Sequence, residues 1–306
     1  MILFLVFALP LFAAGSPAGW VIGWGYNNVG RATGFTNGLY TNGLVTVKGE
    51  ALTDIVAVSA GMSHSLALRK NGTVVGWGGN KYGETTIPAG LSNVVSVSAA
   101  NISMALKKDG TVVSWGAYDP TSIPPSLSNV VAIADGGVCG LALNGDGRVI
   151  GWGQIFVPEN WTNIIAIACA SDRYGDNLAL TSNGTVLARG PYANASLGLS
   201  NIVAISTGGT QCLALSRDGS VVEWSTRNNK PTAVGGLSNI VAIAATGTSG
   251  GLALKNDGTV IFSGFSPNHS MDVPEGLSNV VAIACGGGFC LAITTNKAVA
   301  DKFRHK

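Results

Sequence analysis

One unit returns along almost the whole chain, and no other feature constrains the fold as strongly. Its copies begin at Leu52 (LTDIVAV), Leu91 (LSNVVSV), Leu127 (LSNVVAI), Trp161 (WTNIIAI), Leu199 (LSNIVAI), Leu237 (LSNIVAI) and Leu277 (LSNVVAI), 34–40 residues apart. Periods in this range belong to solenoids, propellers and arrays, whose single units cannot bury an apolar face alone.

Each unit reads as three clear strands and a weaker fourth. The first is the V-V-A-I run, for example Val130–Ala134, β-branched at most positions as suits a strand buried on both faces. The second is the L-A-L run, as in Leu66–Leu68 and Leu213–Leu215, and the third is T-V-V-x-W-G, as in Thr73–Gly78. Asn-Gly or Asp-Gly stands between the second and third, from Asn71-Gly72 to Asp257-Gly258. That pair predicts a two-residue type I′ hairpin turn with positive φ at both residues. Segments ending in proline (Thr86-Ile87-Pro88, Ser122-Ile123-Pro124, Phe156-Val157-Pro158, Asp272-Val273-Pro274) predict a short fourth strand at the edge, where no ladder donor is lost.

The count of strands then predicts the architecture. Seven first strands occur, but the last unit, Leu277–Asn296, stops after its second strand, and a lone third-strand signal, Trp20–Gly25 (WVIGWG), stands at the N-terminus. The chain is therefore expected to be all-β: a seven-bladed β-propeller of four-stranded antiparallel blades over residues 16–297. Its ring is closed by the N-terminal strand pairing with the C-terminal half-blade, and residues 20–50 complete the last blade. Trp24, Trp77, Trp115, Trp152 and Trp224 share one repeat position and are expected to pack between blades, with Arg189 and Ser263 breaking the series.

Flanking segments and cysteines bear on the compartment. Residues 2–12 are apolar and small residues follow, so residues 1–15 read as a secretory signal peptide, too short to span a membrane. The protein is expected to be secreted, periplasmic or at the cell surface, and monomeric. Residues 298–306 read as a frayed polar tail. Of five cysteines, Cys285 and Cys290 oppose each other in the last unit's first hairpin, where an oxidising compartment allows a disulfide; Cys139, Cys169 and Cys212 read as small buried hydrophobes.

Net charge of +2 and the absence of a basic run leave no basis for nucleic-acid binding. No C-x-x-C is present, and no metal or cofactor is expected. With three histidines (His64, His269, His305) and no paired carboxylates, the sequence argues against an enzyme. The hairpin turns are monotonous, whereas the strand 1–2 and strand 3–4 loops on the opposite face vary, and variable loops on a rigid scaffold carry binding. Expected partner-binding residues are Asp172, Arg173, Tyr174 and Asp176 in the long fourth loop, His64 and Phe289 in other strand 1–2 loops, and Tyr26, Asn80, Tyr82 and Tyr118 in strand 3–4 loops. The partner is expected to be a protein.

The pattern VVAIAxGxxHSLALxxDGxVxxWGxN resembles the repeat of the regulator of chromosome condensation family, most clearly within Ala57–Pro88, which contains SAGMSHSLALRKNGTVVGWGGNKYGETTIP. The resemblance covers about residues 20–296 and implies a seven-bladed propeller with split-blade closure. Nuclear members imply exchange activity on a Ran-type GTPase. In length the unit is more similar to that of the secreted β-lactamase inhibitors of type II, whose repeats also run W-G-x-N-x-x-G-x-T-T-x-P. Those imply binding to class A β-lactamases through aromatic residues in strand 1–2 loops, where this chain has only Tyr174 and Phe289. The leading expectation is thus an exported, non-catalytic propeller that binds a protein or a surface polymer. Exchange-factor-like or inhibitor-like activity is the alternative, with lectin and enzyme behind them.

Overall fold

A computed structural model describes residues 17–36, 38–116, 123–124, 127–137, 139–153, 155–170, 177–190, 198–225, 230–247, 250–264 and 269–304. The expected signal peptide, Tyr118 and the 171–176 stretch lie outside the described residues.

Among the described residues, the repeats fold into antiparallel sheets of three or four strands in hairpin order. The Leu52 unit gives Ile55–Ala60, His64–Arg69 and Val74–Gly78. Five more units follow the same plan, with first strands at Val94–Ala99, Val130–Asp135, Ile164–Ala168, Ile202–Thr207 and Ile240–Ala245. The last hairpin, Val280–Cys285 with Phe289–Thr294, is completed from the other end of the chain. Trp20–Tyr26 pairs antiparallel with Phe289–Thr294, and Tyr40–Leu44 pairs with Trp20–Tyr26 on the outside. A two-residue ribbon, Thr46–Val47 with Glu50–Ala51, stands apart.

Every first strand is entered in the same way. Asp54, Asn93, Asn129, Asn163, Asn201, Asn239 and Asn279 all have φ of 54–59°. Asn and Asp tolerate this left-handed conformation better than other side chains. One residue later each strand carries a bulge, as between Ile55 and Ala57 or between Val130 and Ala132. The bulged Val131 and Val281 consequently turn outward.

Three expectations need correction. In the hairpins linking second and third strands only the glycines are left-handed, with φ of 80–84° at Gly72, Gly110, Gly147, Gly184, Gly219 and Gly258. Gly72 N donates to Arg69 O at 2.9 Å and Arg69 N to Thr73 O at 2.9 Å, so the turn is type I followed by a glycine bulge, not type I′. The Asn or Asp is needed instead as an acceptor: Asn71 Oδ1 takes Thr73 N at 3.1 Å and Asp109 Oδ1 takes Thr111 N at 3.0 Å.

The proline-ended segments, where described, form no ladder. Among the described residues, fourth strands are present at Tyr40–Leu44 and Thr232–Ala233. The prolines build a turn instead: Pro88, Pro124, Pro158 and Pro274 each accept at the carbonyl from the N–H three residues on, that of Leu91, Leu127, Trp161 and Leu277.

The expected frayed tail begins as a helix, Lys297–Lys302, capped by Asn296, whose side chain accepts from Ala298 N and Val299 N. Val299 and Ala300 are buried beside Trp24 and Leu44, and Phe303 O accepts from Leu44 N at 2.8 Å. The apolar Val299–Ala300 pair within a polar run is what docks it.

The core lies between sheets. Each apolar cluster joins two consecutive units: Val56, Leu66 and Leu68 with Val94, Val97 and Ala105; Leu141 and Leu143 with Ile164 and Ile167; Val21, Leu291 and Ile293 with Ile55 and Trp77; Leu252 and Leu254 with Trp24 and Val280. The buried tryptophans set the pattern. Trp24, Trp77, Trp152 and Trp224 each pack on the sheet that precedes their own, and the partly buried Trp115 does the same.

Candidate binding face

Strand 1–2 loops and strand 3–4 loops meet on one side of the molecule. Tyr26 N donates to Gly288 O at 2.8 Å, and Gly79 N donates to Ser63 O at 2.8 Å. Two of the strand 3–4 loops are organised by an asparagine at the same repeat position. Asn27 Oδ1 accepts from Ala32 N at 2.8 Å while its amide donates to Thr33 Oγ1 at 3.0 Å; Asn80 Oδ1 accepts from Thr85 N at 2.8 Å and its amide donates to Thr86 Oγ1 at 3.1 Å. The W-G-x-N pattern therefore supplies a loop pin. Each pinned loop is tied to the next sheet: Ser65 Oγ donates to Arg31 O at 2.8 Å and Ser103 Oγ to Glu84 O at 2.7 Å.

Arg31 stands where the sheet shared by the two chain ends meets the Leu52 unit. Its guanidinium donates to Met62 O and Asn28 Oδ1, lies 3.4 Å from Gly287 O, and covers the Tyr26 ring at 4.8 Å. Burial lowers its pKa from the ordinary value, offset in part by Tyr26. Tyr40 lies against Tyr26 with ring centroids 5.6 Å apart. Around this cluster, Leu39 is 60% exposed, Tyr40 50% and Met62 40%, with Phe35 also exposed.

The expected binding residues divide accordingly. Tyr26 is half-buried at the centre of this cluster. Tyr82 is exposed in the neighbouring loop, with Lys81 Nζ 4.9 Å from its ring centroid. Asn80 is exposed but engaged in holding its loop. His64 and Phe289 have no exposed surface and are corrected from the binding face to the interior. On a strand of period two they share a face with Leu66 and Leu68, and with Leu291 and Ile293, and that face is buried. His64 Nε2 is 2.8 Å from Ser103 Oγ, and burial lowers its pKa to about 4 against the opposing pull of Glu84 and a backbone hydrogen bond at Ile102. Asp172, Arg173, Tyr174, Asp176 and Tyr118 lie outside the described residues. The sequence reading missed Arg31, Leu39 and Tyr40, whose only mark is the length of the Tyr26–Leu44 insertion.

Just inside this face the first strands of all units converge on a cavity of about 60 Å³. It is lined by Ala60, Ala99, Asp135, Cys169, Thr207 and Cys285 with adjoining small residues. Asp135 is buried; its carboxylate accepts from Ala100 N at 2.9 Å and Gly137 N at 2.8 Å. Burial nevertheless outweighs those donors and raises its pKa to about 7. Cys285 and Cys290 are cross-strand partners and are joined by a disulfide. Among the described residues no cluster of three or more metal-ligating side chains occurs, and no helix is long and apolar enough to cross a membrane.

The fold is similar to that of several solved structures. Residues 55–84 match the family model of the regulator of chromosome condensation (RCC1) repeat. No curated protein matches the sequence. Prp20p of Saccharomyces cerevisiae, whose structure is described together with its binding to Gsp1p and histones, is similar at a TM-score of 0.75 and 17% identity over 97% of this chain and 95% of that one. Yeast RCC1 (Prp20) bound to Kap60 is similar at a TM-score of 0.73 and 19% identity, over 98% and 93% of the two chains. Human WBSCR16 is similar at 0.69 and 18%, over 90% and 99%. At such identities the likeness establishes fold alone: a β-propeller carrying an RCC1-type repeat.

Proposed function

We propose that this chain is an exported, non-catalytic, seven-bladed propeller that binds a protein partner through the face carrying the strand 1–2 and strand 3–4 loops. The observation that carries this reading is the Arg31 cluster. Rigidly held loops present Leu39, Tyr40 and Met62 to solvent at the junction of two sheets, with Tyr82 on the next loop. Exposed aromatic and apolar side chains on a pinned backbone are what interface anchors require.

Closure into a seven-membered ring is supported by the apolar clusters, which link each unit to the next and the last to the first. The non-catalytic reading rests on the sequence, with its three histidines and no paired carboxylates. Export is supported by the apolar residues 2–12 and by the disulfide. Among the structural relatives, Prp20p is reported to bind Gsp1p and histones, and the yeast RCC1 structure contains Kap60.

The test is capture from secreted and envelope proteins on immobilised chain, with the Tyr40→Ala/Met62→Ala/Tyr82→Ala variant as comparison. A protein retained by the parent and lost by the variant is the expected result. Retention by both, with loss on Asp172→Ala/Arg173→Ala/Tyr174→Ala, moves the site to the fourth loop. No retained protein overturns the reading. Nucleotide release from a Ran-type GTPase and inhibition of a class A β-lactamase are measured alongside, since activity in either identifies the partner class directly.

A further inference from the structure

Cys139 opens the second strand of the Leu127 unit, and Cys169 follows the first strand of the next, Ile164–Ala168. Both are buried, and their sulfurs lie 2.9 Å apart across the junction of the two sheets. About 0.9 Å of further approach would reach the S–S bond length of about 2.05 Å. The backbone makes room for this pair: a Cβ on Gly136 would stand 2.5 Å from Cys169 Sγ and 3.0 Å from Cys139 Sγ. Arg189 occupies the third-strand tryptophan position of the Trp161 unit, and the indole at this junction comes instead from Trp161, buried in one cluster with Cys139, Leu141 and Cys169. Cys169 and Cys285 stand at the same repeat position around the central cavity, and Cys285 is already disulfide-bonded.

We propose that Cys139 and Cys169 form a second disulfide, linking two adjacent sheets, when the chain folds in the presence of a small-molecule disulfide such as oxidised glutathione. The two thiols lose two protons and two electrons as the S–S bond forms, and oxidised glutathione takes them up as its own S–S bond breaks, leaving two reduced glutathiones. The bond is made during folding. Once the chain is folded, burial holds the Cys169 thiol in its protonated, unreactive form and screens both sulfurs from exchange. Cys212, beside Thr207 Oγ1 at 3.3 Å, remains a thiol. Formation of this bond in the native setting rests on the export reading, whereas its formation in a defined redox buffer does not.

The experiment refolds the full chain from the reduced, denatured state in a buffer of oxidised and reduced glutathione. All remaining thiols are then alkylated under denaturing conditions, and the digest is mapped by mass spectrometry without reduction. The expected result is a Cys139–Cys169 linked peptide with alkylation at Cys212 alone. In the Cys212→Ser variant no cysteine is alkylated. Alkylation of both Cys139 and Cys169 in refolded protein whose Cys285–Cys290 bond has formed overturns the proposal, as does linkage of either residue to Cys212 or to glutathione.

Discussion

At the scale of single residues, two buried ionisable groups set opposite demands. Asp135 has a pKa of about 7 in the fold against an ordinary value of about 3.9, so the stability its protonated form supports is present below about pH 4 and lost as pH rises through 7. His64, lowered to about 4 from about 6.5, contributes stability that is present above about pH 6.5 and lost as pH falls through 4. Between about pH 4 and 6.5 the two contributions cancel. Urea midpoints of the parent should therefore be nearly flat in that window, while those of Asp135→Asn should rise with pH as the His64 slope is uncovered; a variant as flat as the parent overturns the assignment. His64 illustrates what a sequence conceals. Its polarity and its place beside a loop suggested a contact residue, yet it shares strand parity with Leu66 and Leu68, and parity decides burial. The Asn-Gly and Asp-Gly pairs were legible as hairpins but not as a turn type. The same two residues serve type I′ through two positive φ angles, or the observed turn through one glycine and one side-chain acceptor.

At the scale of elements, strands one to three were legible because β-branched runs and L-A-L cores repeat with fixed spacing. The fourth strands were not, because a proline-ended segment reads alike whether it joins a ladder or only turns the chain toward the next unit. The closing helix was hidden by polar composition. The shared tryptophan position was legible as packing, and its energetic weight can be measured. Trp224 is 2% exposed and fills the space against Leu178, Leu180 and Ala188 of the preceding unit. Trp224→Ala should lower unfolding free energy by about 3–5 kcal/mol by creating a cavity between sheets. Denaturant unfolding reads this, and a loss below about 1 kcal/mol would mean that the interface collapses to fill the gap.

At the scale of the whole molecule, the pairing of Trp20–Tyr26 with Phe289–Thr294 joins the two ends of the chain in one sheet. In the ring proposed here, deletion of residues 20–25 removes the third strand of that sheet together with Trp24 and leaves Leu252, Leu254 and Cys290 without their cover. The deleted chain should melt well below the parent and self-associate through the uncovered edge; unchanged melting and unchanged size on gel filtration would refute closure. Fold class was legible at this scale because repetition multiplies a weak local signal. The proposed binding face was less so, because Leu39 and Tyr40 sit in an insertion that occurs once and follows no period.

The tryptophans give this architecture a sense of rotation. Every indole leans on the sheet before its own and none on the sheet after. Loosening one sheet therefore withdraws its own indole from the sheet before and unseats the indole of the sheet after. Arg189 and Ser263 stand in the indole's place in two units; Trp161 supplies an indole at the first of these junctions, whereas the cluster between the Leu199 and Leu237 units holds no tryptophan. The seam between the Leu199 and Leu237 units, closed by small and aliphatic side chains alone, is therefore where the molecule should open first.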